Sequence, residues 1–206
     1  MDPRSFPTKG NLILAKNSLS LARQGYELMD KKRNILIREL MDLIDEAKDI
    51  QGEIDTTFTG AYQCLQHANI ENGISTVEEL AYTVPIEDSI RIQTRSIMGT
   101  EIPLVKYRNE IERPTYAFST SMESVDAARD AFCRVKDLTV KLSQVENSAY
   151  RLAANIKKTQ KRANALKNIT IPMYENLVYT ISNALEEKER EEFTRLKVIK
   201  KMNTTH

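Results

Sequence analysis

Apolar residues recur at alternating steps of three and four along the N-terminal third of the chain. Between Leu12 and Thr57 they fill twelve of fourteen such positions, and the stripe continues to Ala68. A seven-residue repeat kept over this many turns is typical of a coiled coil rather than of an ordinary surface helix. Thr8 is a favourable N-cap in front of it. The pattern predicts a coiled-coil helix over residues 8–68, roughly 90 Å long.

The C-terminal part of the chain repeats the pattern. Stepping from Leu138 to Ala184 meets apolar residues at eleven of fourteen positions. The capping box Thr120-Ser121-Met122-Glu123 marks the start of a second coiled-coil helix, over residues 119–201. Pro172 lies inside it and removes a backbone donor. Because the stripe continues on both sides, we expect a kink near this proline rather than an end.

Residues 69–118 differ in character, with three of the six prolines and two of the six glycines. The capping box Ser75-Thr76-Val77-Glu78 predicts a short helix. Alternation over residues 86–92 and an extended run over 102–107 predict a β-hairpin. The residues assigned to it are Ile90, Ile92, Met98, Gly99, Ile102 and Pro103. Pro103 is expected to place the second strand at an edge.

The fold class that follows is all-α, a long antiparallel two-helix coiled coil with a small mid-chain insertion of a short helix and a β-hairpin. Folding back is required because a lone amphipathic helix gains little without packing. The predicted seam comprises Leu36, Leu40, Leu43, Ile50, Leu142, Leu152 and Ile156. The C-terminal helix is the longer one and should project beyond its partner as a single helix, followed by a flexible tail over 202–206. The predicted tip carries Phe193, Leu196 and Ile199.

The composition of the chain argues against several classes of protein. With 30 basic and 29 acidic residues the net charge is +1, which implies no bulk attraction to nucleic acid. No apolar run is long enough to enter a membrane, and the first ten residues lack the apolar core of a secretory signal. Cys64 and Cys133 make no disulfide framework, and we expect free, buried thiols in a reducing, cytosolic compartment.

Candidate chemistry is sparse. His67 and His206 are the two histidines, tryptophan is absent, and no glycine-rich phosphate loop occurs. We therefore predict no catalytic, cofactor-binding or metal-binding residues, and a chain that is not itself an enzyme.

Charge along the helices is more informative. Six basic residues and no acidic one lie between Arg151 and Lys167. Four of these six residues and four on the facing part of the first helix are assigned to a basic girdle, which comprises Lys31, Lys32, Arg33, Arg38, Lys157, Lys158, Lys161 and Arg162. Two interpretations stay open, a solvated face or a site for acidic loops of a partner. Arg33 falls on the seam, where a polar residue can fix the register.

Several segments, in order, resemble one family. They are Pro7-Thr8-Lys9, the run LARQGYELMDKKRNIL at 21–36, Met98-Gly99 followed by Ile102-Pro103, KRANALKNITIP at 161–172 and LEEKEREEFTRLKVIK at 185–200. Over nearly its whole length, the chain is similar to the D subunits that form the central rotor shaft of V-type and archaeal-type rotary ATPases.

The resemblance implies a role without chemistry on this chain. One copy would enter a hexameric head of catalytic and non-catalytic subunits, with the girdle inside or at the mouth of the head and the tip deep within it. The small F subunit of the rotor would bind the lower coiled coil, and a socket subunit above the membrane ring would take the other end. The shaft would couple ATP hydrolysis or synthesis to proton or sodium transport. Its place would be cytoplasmic, peripheral to the membrane.

Two other classes share the helix–hairpin–helix pattern. A prefoldin-like chaperone is also an antiparallel coiled coil, but it oligomerises through its hairpins. A stalk protein of an export ATPase also enters a hexameric ring, but lacks a hairpin at 86–107. Stoichiometry with partner subunits separates these alternatives from a rotor shaft.

Overall fold

The computed structural model describes residues 6–107, 116–117 and 122–203 of the chain. The predicted fold class is confirmed: two long helical stretches frame a short helix and a two-stranded antiparallel hairpin. The elements are α1 (Lys9–Asn72), α2 (Ile74–Ala81), β1 (Arg91–Ile97), β2 (Thr100–Lys106), α3 (Glu123–Ala165), a π-helical turn (Leu166–Thr170) and α4 (Ile171–Asn203).

The chain divides into two compact units that cut across the long helices. Unit 1 combines Met1–Asn34 with Lys157–His206, and unit 2 is Ile35–Ile156. Unit 1 therefore holds the first part of α1, the end of α3, the π turn and α4. Unit 2 holds the rest of α1 and α3 together with α2 and the hairpin.

Both ends of α1 show their capping chemistry. The Asn11 backbone N–H donates to Thr8 Oγ1 at 3.2 Å, as the sequence predicted for an N-cap threonine. The helix runs on past residue 68 to Asn72 and ends at Gly73, whose φ of 85° favours glycine. Asn72 Nδ2 then donates to Ser124 Oγ at 3.2 Å, which links the end of α1 to the start of α3. Of the predicted capping box of α3, Thr120 and Ser121 lie outside the described residues.

Two details of the middle region were predicted wrongly. Helix α2 begins at Ile74, so Ser75 lies inside it; its N-cap is Gly73, whose carbonyl accepts the Val77 N–H. Strand β1 begins at Arg91 rather than at Ile86. Residues 86–90 do not join the ladder because Glu87 folds back locally, with its Oε1 accepting the Ser89 N–H at 3.0 Å.

The apolar stripe of α1 is the buried face of that helix. All seventeen positions reached by the three–four stepping from Leu12 to Ala68 are buried or half-buried. Leucines off the stripe, such as Leu14, Leu21 and Leu28, are about two-thirds exposed. The heptad phase thus predicted which side of α1 packs.

Two apolar cores hold unit 2 together. In the first, Leu36 of α1 and Leu152 of α3 are fully buried, and Ile102 of β2 is buried against them. Half-buried Leu40, Leu43, Ile97 and Ile156 surround them. In the second core, Ala68, Tyr116, Val125 and Ala128 are buried, with Cys64, Val77 and Leu80 packed against them. The seam positions Ile50 and Leu142 are half-buried.

The C-terminal stripe changes phase in unit 1. Thr159 and Ala163 are buried as predicted, but Met173 is 53% exposed and Thr180 is exposed as well. Their neighbours take the inward positions: Tyr174 is half-buried and Ile181 is 1% exposed. Of the four predicted positions beyond residue 170, Leu177 and Ala184 are half-buried, so the predicted stripe is wrong at Met173 and Thr180 only.

The π turn explains the change of phase. The Ile171 N–H donates to the Leu166 carbonyl, an i to i+5 bond that takes one more residue than an α-helical turn. The inward-facing positions of the following helix are therefore shifted by one residue towards the C-terminus. Pro172 follows at once; it has no N–H for the Asn168 carbonyl, and its ring crowds that carbonyl in a regular helix. The chain stays helical through Pro172, and the kink remains a prediction.

Both cysteines are free, as predicted, but they are not both buried. Cys64 is half-buried beside the second core of unit 2, whereas Cys133 is exposed on α3. Cys133 lies off the buried stripe of its helix, because it is two residues before buried Val135 and five before buried Leu138, and neither spacing puts residues on the same face.

The π turn can be tested by deleting a residue. In a Pro172→Ala background, which removes the clash of the proline ring in a regular helix, deletion of Asn168 should convert the turn to regular α-helix and leave Ile181 facing inward. The free energy of unfolding should then stay within about 1 kcal/mol of the same background without the deletion. Deletion of exposed Asn176 is the control, because it rotates all later residues by about 100°. It should cost about 1.5–3 kcal/mol for Ile181 alone. Urea unfolding measures both, and equal losses would contradict the assignment.

Candidate functional site

Seven of the girdle residues lie together in unit 1. Residues 31–33 come from α1 and residues 157–162 from the end of α3. All are exposed except Lys32 and Arg33, which are half-buried. Apart from Arg33, none has a carboxylate within 4.0 Å among the residues that the structure describes. Six of the seven girdle residues in unit 1 are therefore cations without an ion pair among the described residues. Arg38, the eighth predicted member, is an exposed residue of unit 2.

Arg33 forms a polar layer between the two helices of unit 1. Its Nη2 lies 2.6 Å from Asp30 Oδ1, and its Nη1 donates to Gln160 Oε1 at 3.0 Å across the helix pair. The side chain is 25% exposed, so these bonds are partly shielded from water. A single polar seam position of this kind specifies one register over its alternatives.

Further polar contacts follow the same helix pair in unit 1. Lys167 Nζ lies 5.9 Å from the centre of the Tyr26 ring, and Arg23 Nη2 is 2.7 Å from Glu175 Oε1. The last cross-helix pair joins Lys9 to Glu189 at 3.1 Å. Exposed pairs contribute little to stability, but they show how α1 and α4 are aligned.

Helix α4 continues for fourteen residues beyond Glu189. Residues 190–202 are all exposed. The predicted tip residues Phe193, Leu196 and Ile199 are 70%, 65% and 53% exposed. Exposed apolar residues in such a cluster indicate contact with another protein.

In unit 2 the hairpin packs through β2 against α3. Met98 and Gly99 both have positive φ (49° and 75°), as a two-residue type I′ turn requires. Asn155 Nδ2 donates to Thr100 Oγ1 beside this turn. Ile102 enters the core with Leu36 and Leu152, so the hairpin is part of the packed unit.

The predicted hairpin residues divide between core and surface. Ile102 is buried and Pro103 is half-buried. Ile90, Ile92 and Met98 are 44%, 70% and 44% exposed, and Gly99 is exposed at the turn.

Two polar contacts hold the base of the hairpin to α3. Lys136 Nζ donates to Glu87 Oε2 at 2.7 Å, and the Tyr107 hydroxyl donates to Asp137 Oδ1 at 2.8 Å. The bonds from Lys136 and Ser89 lower the pKa of Glu87 to about 2. Burial, with the bond to Asp137, raises the pKa of Tyr107 to about 12.

These contacts were not predicted from the sequence. A polar stripe on α3 was a usable sequence signal: Arg151 follows Gln144 by seven residues, and Asn155 follows Arg151 by four. Polar residues at this spacing share one face of a helix and indicate that a polar element packs against that face. Glu87 and Tyr107 carried no comparable signal, because their partners are far away in sequence.

Other chemistry is lacking in the described ranges. They contain no group of three or more His, Cys, Asp or Glu side chains arranged to hold a metal ion. None of the helices in these ranges combines the length and the apolar character of a membrane span. His67 is exposed, and His206 lies outside the described residues.

The Glu87–Lys136 pair predicts a pH-dependent stability. Because the pKa of Glu87 falls from 4.5 to about 2 on folding, the pair stabilises the fold fully above pH 4.5. That stability is lost as the pH falls towards 2. The Glu87→Gln variant should therefore unfold at lower urea than the parent at pH 6, and the difference should shrink at pH 3. Glu79→Gln, which removes an exposed carboxylate from α2, corrects for net charge, and a difference independent of pH would contradict the assignment.

Comparison with known proteins identifies the family of the chain. The family model for the D subunit of ATP synthase matches residues 11–201. The V-type ATP synthase D subunit of Thermotoga neapolitana is 44% identical over 94% of this chain and 96% of its own length. The A-type ATP synthase D subunit of Pyrococcus horikoshii is 36% identical, and that of Thermococcus kodakarensis 35% identical, each over 94% of this chain and 92% of the relative. The chain belongs to the family of ATP synthase D subunits and is a subunit of a V-type or A-type ATP synthase complex.

Proposed function

We propose that this chain is the central rotor shaft of a V/A-type rotary ATPase and carries no catalytic residue itself. Its partners would be a hexameric head of catalytic and non-catalytic subunits, the small F subunit of the rotor and a socket subunit above the membrane ring. One copy would serve each complex. The complex would place the chain on the cytoplasmic side, peripheral to the membrane.

The exposed end of α4, residues 190–202, is the observation that carries the proposal. It extends past the last cross-helix pair at Glu189 and presents Phe193, Leu196 and Ile199 to solvent. A helix that exposes several apolar side chains is suited to enter a cavity in another protein. For a shaft, that cavity is the centre of the head.

The girdle supplies the second element of the mechanism. Its cations lie on both helices of unit 1, so a rotating helix pair would present a changing charge pattern to the surrounding subunits. Electrostatic complementarity of this kind sets orientation and register more than affinity. ATP hydrolysis in the head would turn the shaft, and rotation of the shaft would drive or follow ion transport by the membrane ring.

Register within the helix pair is what allows torque to pass along unit 1. Leu166 Cδ1 lies 3.8 Å from the position that a Cβ atom on Gly25 would occupy, and Arg33 donates a hydrogen bond to Gln160 across the helix pair. Sliding one helix along the other would break this polar layer and misalign the buried stripe. The family match does not favour the prefoldin-like chaperone or the export-ATPase stalk protein.

Charge reversal in the girdle tests the proposal. The triple variant Lys157→Glu, Lys161→Glu and Arg162→Glu should weaken assembly with the head at least about tenfold, since like charges placed across an interface cost several kcal/mol. Native mass spectrometry after co-expression with the head subunits and the F subunit measures the occupancy. For the parent chain we expect one copy per head hexamer, with the F subunit attached.

A matched triple variant controls for the change in net charge. Lys48→Glu, Arg134→Glu and Lys141→Glu alter three exposed residues of unit 2 by the same total charge. This control should assemble with the head as the parent does. Equal occupancy of both triple variants would overturn the head-contact role of the girdle, and a self-associated oligomer indifferent to the head would overturn the shaft.

A further inference from the structure

Each strand of the hairpin has one edge that does not face the other strand, and these two edges differ in what covers them. The outward backbone groups of β2 are bonded to α3: Gln144 Oε1 accepts the Val105 N–H at 2.7 Å, and Arg151 Nη1 donates to the Glu101 carbonyl at 3.2 Å. Pro103, between them, has no N–H to satisfy. The edge of β2 that does not face β1 is therefore covered by side chains of α3.

The ladder register identifies the matching groups on β1. Glu101, Pro103 and Val105 stand opposite Ser96, Thr94 and Ile92. In an antiparallel pair, residues alternate between exchanging both hydrogen bonds and directing both groups outward. The outward backbone groups of Val105 and Glu101 point to α3. The outward backbone groups of Ile92 and Ser96, which stand opposite them on β1, therefore point away from α3.

This outer edge of β1 is open. Six of its seven residues are exposed, from Arg91 to Ser96, and Ile92 is 70% exposed. No hydrogen bond from any residue in the described ranges reaches the outward groups of Ile92, Thr94 and Ser96. A row of unpaired N–H and C=O groups is a template for one more strand.

Charge restricts what that strand can be. Arg91 and Arg95 alternate on one face of β1, and Lys106 stands directly opposite Arg91. Within the structurally described part of the chain, none of these three has an ion pair within 4.0 Å, although exposed Asp88 lines the same hollow as Arg91 and Lys106. A second copy of β1 would bring further arginines to this face, and like charges directly opposite one another are destabilising. An acidic segment would neutralise them.

We propose that the free edge of β1 binds an acidic, extended segment of another subunit of the complex, which adds a third strand to the hairpin. Main-chain hydrogen bonds to Ile92, Thr94 and Ser96 would provide affinity, and acidic side chains beside Arg91 and Arg95 would provide specificity. The identity of the partner as a subunit of the same complex rests on the proposed function.

Hydrogen exchange of single amides tests this proposal on the full chain, free and in the complex co-expressed with its head, F and socket subunits. The ladder-bonded amides of Gln93 and Arg95 should be protected in both. The amides of Ile92, Thr94 and Ser96 should exchange rapidly in the free chain and at least about tenfold more slowly in the complex. Equal, rapid exchange of these three amides in an intact complex would overturn the proposal while leaving the shaft untouched.

A backbone variant supplies the second arm. Thr94→Pro removes one outward N–H without breaking a ladder bond, whereas Thr94→Val keeps it. We expect Thr94→Pro to abolish the added protection at Ile92 and Ser96, and Thr94→Val to retain it. Persistent protection of Gln93 and Arg95 in Thr94→Pro shows that the hairpin is folded.

Two further outcomes separate the possible occupants. Protection that appears in the free chain with increasing concentration, together with dimers in sedimentation velocity, would identify a second copy and overturn the assignment to an acidic segment of another subunit. Protection in the complex that survives Arg91→Glu with Arg95→Glu would also overturn it, because the partner strand would then not be selected by charge. Failure of the parent chain to join the complex would instead contradict the proposed function.

Discussion

Neither long helix can bury its apolar stripe by itself, and this constraint shapes both units of the chain. Helices without a core to pack against are marginal in water. Pairing two stripes removes them from solvent, and it requires each inward side chain to keep its phase over many turns. Leu36 and Leu152 in unit 2, and Ile181 in unit 1, are the fully buried large side chains that result. The polar layer at Arg33 adds a unique register to this otherwise repetitive interface.

Much of the fold could be predicted because the seam is periodic. The stripe of α1, the N-cap at Thr8 and the turn at Met98-Gly99 are local patterns, and the structure confirms them. The phase of α4 could not be predicted. Beyond the π turn the apolar or small residues come in adjacent pairs, such as Met173-Tyr174, Leu177-Val178 and Thr180-Ile181. Either member of each pair fits the repeat, so the sequence leaves the phase open and the extra residue of the π turn decides it.

The candidate surfaces were predicted unevenly. Concentrated charge and an overhanging helix are visible in a sequence, which is why the girdle and the tip could be named. The roles of these residues as contacts with the head stay a prediction. The polar anchoring of the hairpin was missed because Glu87–Lys136 and Tyr107–Asp137 join residues distant in sequence. The exposure of Cys133 could have been predicted, because the stripe continued back from Leu138 meets Val135 and Ala131 and not Cys133.

Rotation driven by ATP is the most direct test of the shaft. Exposed Cys133 offers an attachment point for a biotin-linked bead once half-buried Cys64 is replaced by serine. With the head fixed to a surface, the account predicts that the bead turns continuously in one direction when ATP is added and stops when ATP is removed. A bead that shows only random fluctuation while the same complexes hydrolyse ATP would contradict it.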